Sequence, residues 1–383
     1  MNDQKIATLS LSPDQRKSVR HLAGDVLVSA GAGTGKTRVL VERILHILKA
    51  GKASVTELLV LTFTEKAANE IKLRLSDGLR CLGLERLRRD LEQAAIGTFH
   101  GFAARLLKEH PLEAGVAPDF RVLETERADA LKDEALTAVL ERSFRDAHPM
   151  FEILKIYGEN AVRTGLLKVL TASRHEGKML EDFFNESRRN RRRILEQIEG
   201  ELLQKARALT LKFSDEFDNA GWERFTGNHA WDWETLEDFR CWKGRYSSKR
   251  KEGWKEWRSL ANDLSALKIE PLSGPWIEKF EAMALSFESG YEAAKRKDGY
   301  LDFDDLQIRA VGLFSGGRPE LLKMKERYQR KFKFIMVDEF QDTNYLQMKF
   351  IDLLSSKENV FTVGDYKQSI YGFRGADPGI FLE

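Results

Sequence analysis

The segment Ala30-Gly31-Ala32-Gly33-Thr34-Gly35-Lys36-Thr37 narrows the possible folds more than any other feature of this chain. Val26-Leu27-Val28 lies just before it and reads as a buried strand. Thr37 to Lys49 follows and reads as a helix, with Leu40, Ile44, Ile47 and Leu48 on one face. A glycine-rich turn between a strand and a helix can wrap backbone N–H groups around phosphate oxygens, and the helix N-terminus adds partial positive charge. Ala30, Gly31, Ala32, Gly33, Thr34 and Gly35 are therefore candidate cradle residues. Lys36 would reach the β- and γ-phosphates of ATP, and the Thr37 hydroxyl would ligate Mg²⁺. The strict pattern has glycine where this chain has Ala30. The plain alternative is an ordinary turn with a chance Gly-Lys-Thr, against which the flanking strand and helix argue.

Such a cradle works with a carboxylate at the end of a neighbouring strand. Phe334-Ile335-Met336-Val337 reads as that strand, and Asp338-Glu339 ends it. Asp338 would hold Mg²⁺ through water, and Glu339 would orient or deprotonate the attacking water. Lys36 and Asp338 stand 302 positions apart but must meet at one nucleotide. The chain therefore has to leave the sheet, fold something separate and return. The texture agrees. Up to residue 112, short β-branched runs such as Leu58 to Phe63 alternate with amphipathic stretches, and Thr64 can cap a helix that turns Ala67, Ala68, Ile71 and Leu75 inward. Residues 113–295 read as mostly helical, with Leu131, Leu136, Val139, Leu140 and Phe144 at helical spacing, and again Ile194, Leu195, Ile198, Leu202 and Leu203. Residues 296–383 return to strands, including Val360-Phe361-Thr362-Val363. The expected fold is an α/β domain with a parallel sheet, made of residues 1–112 and 296–383 and interrupted by a helical inserted domain over 113–295.

With 383 residues, 42% apolar and 32% charged, the chain has ample material for packed cores and is not a disordered tail or a disulfide-stapled miniprotein. Its two cysteines, Cys81 and Cys241, are too few for a four-thiolate metal site, and they point to a reducing cytoplasm. No apolar run approaches the ~20 residues that span a bilayer, so no membrane is expected as a partner. No signal peptide is legible at the N-terminus.

Further blocks stand in order along the chain. Leu11-Ser12-Pro13-Asp14-Gln15 precedes the cradle, and Thr62-Phe63-Thr64-Glu65-Lys66-Ala67-Ala68 closes the second strand. Gly97-Thr98-Phe99-His100-Gly101-Phe102 and Leu301-Asp302-Phe303-Asp304-Asp305-Leu306 follow. The acidic strand ends Asp338-Glu339-Phe340-Gln341-Asp342-Thr343, and Val363-Gly364-Asp365-Tyr366-Lys367-Gln368-Ser369-Ile370-Tyr371-Gly372-Phe373-Arg374-Gly375-Ala376-Asp377 completes the set. Together these resemble the UvrD/Rep class of superfamily 1 DNA helicases, and the last block looks most like the AddA and RecB branch. The resemblance spans residues 11–377, and no motif in the insertion matches.

The resemblance implies a RecA-like ATPase domain and an ATP- and Mg²⁺-dependent helicase or translocase, moving 3′ to 5′ on single-stranded DNA in repair or recombination. The implied partners are single-stranded DNA, duplex DNA and an AddB- or RecC-like subunit. Gln15 is similar to the family glutamine that reads adenine, and Arg38 would lie against the base. Gln341 and Gln368 would sense the γ-phosphate and couple hydrolysis to movement. Thr62, Phe63, Thr64, Thr98, Phe99, His100, Tyr371, Phe373 and Arg374 match positions that touch single-stranded DNA. Exposed aromatics suit that role, because every base offers a stacking face. Core packing for Phe63 and helix capping for His100 are the rival readings. The family's later motifs lie on a second RecA-like domain, whereas this chain stops six residues after Asp377. The expectation is thus an N-terminal fragment that hydrolyses ATP poorly by itself. Two other classes stay open: a non-catalytic module that binds nucleic acid and ATP, and a P-loop ATPase acting on a substrate other than DNA.

The net charge of +2 looks too neutral for a nucleic-acid protein, but it averages two parts. Residues 113–295 hold 30 Lys and Arg against 34 Asp and Glu, and the remainder holds 32 against 26. Two stretches of the insertion run against its acidic trend: Arg188, Arg189, Arg191, Arg192 and Arg193, and then Lys243, Arg245, Lys249, Arg250, Lys251, Lys255 and Arg258. All seven tryptophans lie between Trp222 and Trp276, overlapping the second stretch. They read either as a DNA grip or as the core of a small subdomain with a wet basic face.

Overall fold

The computed structural model describes residues 11–31, 33–145, 150–210, 218–226, 232–246, 254–269 and 273–365. Among the residues singled out above, Ala32, Lys249, Arg250, Lys251, Gln368, Tyr371, Phe373 and Arg374 lie outside the described ones. The described chain forms two compact units. The first holds residues up to Leu131, then Thr171–Lys178, then those from Ala293 onward; the second holds Lys132–Leu170 and Met179–Glu292.

The first unit begins α1 (Pro13–Arg20), β1 (Val26–Ser29), α2 (Lys36–Lys49), β2 (Leu58–Thr62), α3 (Glu65–Cys81), α4 (Glu85–Asp90), β3 (Ala95–Thr98), α5 (Phe99–Glu109), α6 (Pro111–Ala114) and β4 (Arg121–Val122). The chain passes along α7 (Thr125–Arg145) into a run of helices: α8 (Phe151–Tyr157), α9 (Glu159–His175), α10 (Leu180–Thr210), α11 (Asn219–Thr226), α12 (Trp233–Gly244), α13 (Trp254–Ile269) and α14 (Gly274–Lys297). It returns through β5 (Tyr300–Leu301), α15 (Phe303–Ser315), α16 (Pro319–Lys331), β6 (Phe334–Val337), α17 (Tyr345–Leu354) and β7 (Val360–Gly364).

Five strands form one parallel sheet in the order β1-β7-β6-β2-β3. Period-2 alternation sends side chains to both faces, and both are covered. Leu59, Leu61, Ile335 and Val337 pack on one face with α5, α15, α16 and α17 residues such as Phe102, Phe314, Tyr328 and Phe350. Leu58, Val60, Met336, Phe361 and Val363 pack on the other with Leu40, Ile44 and Ile47 of α2 and Ile71 and Leu75 of α3. This double burial explains why β2 and β6 read as continuous apolar runs. Thr64 caps α3, its hydroxyl accepting from Ala67 N at 3.1 Å. Ala68, Ile71 and Leu75 are buried and Ala67 is half-buried.

Four expectations need correction. The carboxylate strand is not the direct neighbour of the cradle strand, because β7 lies between β1 and β6. Val26-Leu27-Val28 is not fully buried either: β1 ends the described sheet, and Leu27 is 50% exposed. Phe144, Ile194 and Ile198 are also exposed, so the apolar spacing of α7 and α10 overstates their buried faces. Finally, the first compact unit runs past residue 112 to Leu131. The reason is β4, which pairs in parallel with β5 through Arg121 N to Gly299 O and Leu123 N to Leu301 O, at 2.9 and 2.8 Å. Phe120 and Leu123 are buried beside it. A two-residue strand is too short to show a period.

In the second unit, Trp222, Trp242, Trp254 and Trp257 are buried with Phe225, Phe239 and Tyr246 in one aromatic core. For these four tryptophans the core reading holds. Asp218 accepts from Trp242 Nε1 at 3.0 Å and from Gly221 N at 2.8 Å, which holds its carboxyl below the usual range. No helix of the described residues is long and apolar enough to cross a membrane.

Burial sets a test of the sheet. Leu61→Ala, at the doubly covered centre, is expected to cost about 2–5 kcal/mol in urea unfolding. Leu27→Ala, at the exposed end strand, should cost less than about 1 kcal/mol. Equal losses would contradict the strand order.

Candidate functional site

The cradle is built by its backbone. Gly33 and Gly35 adopt φ of 71° and 84°, and Gly35 forms the N-cap of α2 without a side-chain cap. An L-residue is strained at such φ values. The first N–H groups of α2 are thereby left available to a ligand. Lys36 is buried, and its Nζ lies 3.1 Å from Glu339 Oε2. Thr37 Oγ1 donates to Asp338 Oδ2 at 3.2 Å. The ends of β1 and β6 thus meet as the motif spacing demanded, across β7.

Glu339 takes the left-handed conformation, φ 53° and ψ 42°, which is rare for a residue with a Cβ and costs roughly 1–3 kcal/mol. Its N–H donates to Asp338 Oδ1 at 3.1 Å, and its carbonyl accepts from Asp342 N at 3.0 Å. The turn aims the Glu339 carboxylate back toward Lys36. Gln341 is buried behind it, with Nε2 donating to Glu339 Oε2 at 2.8 Å and Oε1 accepting from Asp365 N at 2.8 Å. The amide therefore ties the Glu339 carboxylate to the end of β7.

Burial, together with the adjacent Glu339 charge, pushes the Asp338 carboxyl up to about 6, against the pull of Thr37 and Lys36. Two adjacent carboxylates with one buried lysine leave negative charge that a divalent cation would neutralise. Among the described residues, no group of three or more His, Cys, Asp or Glu side chains is placed to hold a metal alone. Mg²⁺ suits the site for that reason: it binds through one or two protein ligands and keeps waters and phosphate oxygens. Thr37 and Asp338 are the residues that would hold it.

Gln15 donates from Nε2 to Thr34 O at 2.9 Å, which places α1 over the cradle. Arg43 fixes that helix. It is buried, donates to Ser18 O and His21 O at 2.6 and 2.5 Å, and stacks 4.3 Å above the Phe361 ring. Burial lowers its guanidinium to about 10. Arg38 is half-buried beside the cradle on α2.

The residues matched to DNA contacts divide. Phe63 and His100 are half-buried at the ends of β2 and β3. Thr62 and Phe99 are sealed in the core, the Phe99 ring 5.8 Å from Phe63, so neither side chain has surface to offer a strand. Thr98 is buried as the cap of α5: its hydroxyl accepts from Gly101 N at 3.0 Å and donates to Glu65 Oε1 at 2.8 Å. Thr64 is exposed but engaged as the α3 cap.

Other residues enter the site that no motif role had marked. Gln307 Nε2 lies 2.7 Å from His100 Nε2, and the exposed Phe303 ring stands edge-on to His100 at 5.1 Å. Asp365 closes the far side of Gln341. Position at a strand end was the available signal for Asp365. For Phe303, it was an aromatic directly after a helix cap.

The family model described as the UvrD/REP helicase N-terminal domain matches residues 11–383. An ATP-dependent helicase/nuclease subunit of the AddA type from Ligilactobacillus salivarius (strain UCC118) is 29% identical over 97% of this chain. Its namesake from Bacillus cereus (strain ATCC 10987 / NRS 248) is 30% identical over 96%, and that of Exiguobacterium sibiricum is 28% identical over 96%. In each case the chain spans 36% of the relative's length.

The raised Asp338 carboxyl carries a pH dependence. Its pKa lies above the ordinary value, so lowering the pH through about 6 protonates the metal-free carboxylate, and the cation must then displace a proton. Affinity for Mg·ATP is expected to fall roughly fourfold between pH 7.5 and 5.5 and to be level above pH 7. Titration calorimetry in two buffers of different ionisation heat should also register proton release on the acid side.

Proposed function

We propose, for a chain that belongs to the UvrD/REP helicase N-terminal domain family, that it is the nucleotide-binding motor part of an ATP-dependent DNA helicase. By the wording of its motifs and the names of its relatives, the reading extends to a cytoplasmic repair or recombination enzyme that tracks single-stranded DNA 3′ to 5′ beside an AddB- or RecC-like subunit. The observation that carries it is the pairing of Lys36 with Glu339 and Thr37 with Asp338 at one end of the parallel sheet, where Phe63 and His100 also emerge.

The residues divide the work. Lys36 Nζ holds Glu339 Oε2 and would turn to the β- and γ-phosphates, which frees that oxygen. Gln341 Nε2 keeps the Glu339 carboxylate oriented while Oε2 takes a proton from the attacking water. Mg²⁺, held by Thr37 and Asp338, supplies positive charge at the phosphate oxygens. Through Asp365 N, Gln341 also links the Glu339 state to the end of β7, after which the Gln368, Tyr371, Phe373 and Arg374 block follows in sequence. Phe63, His100 and Phe303 offer aromatic edges and faces to successive bases, a recognition that tolerates any sequence.

Three measurements test this. Mg·ATP should raise the melting temperature, and Lys36→Ala should abolish the rise. Glu339→Gln should retain the rise and slow single-turnover ATP cleavage about 10²–10⁴-fold. An oligo-dT strand should accelerate cleavage by the unaltered chain. Cleavage indifferent to DNA would instead favour a P-loop ATPase with another substrate, and no melting shift with Mg·ATP would favour a vestigial site.

A further inference from the structure

Lys295, in the last turn of α14, is 1% exposed. Its Nζ lies 3.0 Å from Asp302 Oδ2 and 2.5 Å from Asp305 Oδ2. Arg174, near the end of α9, places Nη1 3.8 Å from Asp305 Oδ1. All four side chains are buried, and they belong to one compact unit. Two cations and two carboxylates balance in charge, yet none takes part in the nucleotide chemistry.

A helix cap alone does not call for this cluster. Asp302 already caps α15, with Asp305 N donating to Asp302 Oδ1 at 2.8 Å and Asp302 N to Asp305 Oδ2 at 3.0 Å. Such a capping box works equally well in water. Burying four charges is costly, and in the best-attested cases what results is a single defined geometry. The element held in that geometry is the first turn of α15. Its outer side carries Phe303, 38% exposed and edge-on to His100, and one turn on it carries Gln307, which bonds His100 Nε2. The ion cluster and the aromatic pair are thus joined through the same helical turn.

We propose that Lys295 is a positioning residue for single-stranded nucleic acid: by clamping Asp302 and Asp305 it fixes α15, so that Phe303 and the Gln307–His100 pair present one preformed stacking edge. The inference rests on the DNA-motor reading of the same face. Lys295 does not touch the strand; it acts through α15.

The test is oligo-dT affinity by fluorescence anisotropy on the full 383-residue chain, with affinity for a fluorescent ATP analogue measured alongside. Lys295→Met should weaken oligo-dT binding about tenfold, one stacking contact's worth, and leave nucleotide affinity within about twofold. In a Phe303→Ala/Gln307→Ala background the same substitution should add nothing further. Should Lys295→Met fail to fold, Lys295→Met/Asp305→Asn leaves Arg174 and Asp302 balanced and is expected to show the same tenfold loss. An unchanged oligo-dT affinity in either folded variant overturns the proposal. So does a loss that adds in full to that of Phe303→Ala/Gln307→Ala, or a parallel loss of nucleotide affinity. If the unaltered chain does not bind oligo-dT, the DNA-motor reading falls and the proposal falls with it.

Discussion

The parallel pairing of β6 and β7 between β1 and β2 is the constraint on which the rest of the first unit depends. Both inner strands come from beyond residue 330, while their outer neighbours come from the first hundred. The core on either face of the sheet therefore cannot close until the chain has passed through the helical segments and returned. Loop closure over such a separation has to be paid for before the strands reward it. The β4–β5 ladder and the Lys295 cluster both join residues near Arg121 or Arg174 to residues near Tyr300, so they pin the returning chain where it re-enters.

The same strand order decides the chemistry. Placing β7 between β1 and β6 leaves room at the sheet end for a row of polar groups rather than one contact. Lys36, Glu339, Gln341 and the Asp365 N–H form that row, each bonded to the next. The left-handed backbone at Glu339 lets a carboxylate on the β6 end face the cradle on β1. Strain at this position has a visible use: in the extended conformation of the preceding strand, residue 339 would continue the ladder instead of turning back. Burial raises Asp338 because the protein supplies too little positive charge there, the expected condition for a site completed by a cation.

Burial also separates the motif residues into two kinds. Thr62, Thr98 and Phe99 lie inside the first unit and shape the strand ends, whereas Phe63, His100 and Phe303 keep surface that a base could meet. A motif match assigns one role to a run of neighbouring residues. Along a strand, alternate side chains point to opposite faces, so neighbours cannot all share it.

The sequence by itself determined the class of the first unit, the position of the cradle, the acidic strand and the need for an insertion. It could do so because glycine-rich turns, doubly buried strands and helix caps each leave a mark within a few residues. What only the tertiary structure decided was strand order, the backbone turn at Glu339, the Gln341 link to Asp365, the buried ion cluster around Lys295 and the core role of four tryptophans. Each of these joins groups that are remote along the chain or depends on which face of an element is covered. Local periodicity records that a residue is apolar or charged; it does not record which distant partner removes it from water.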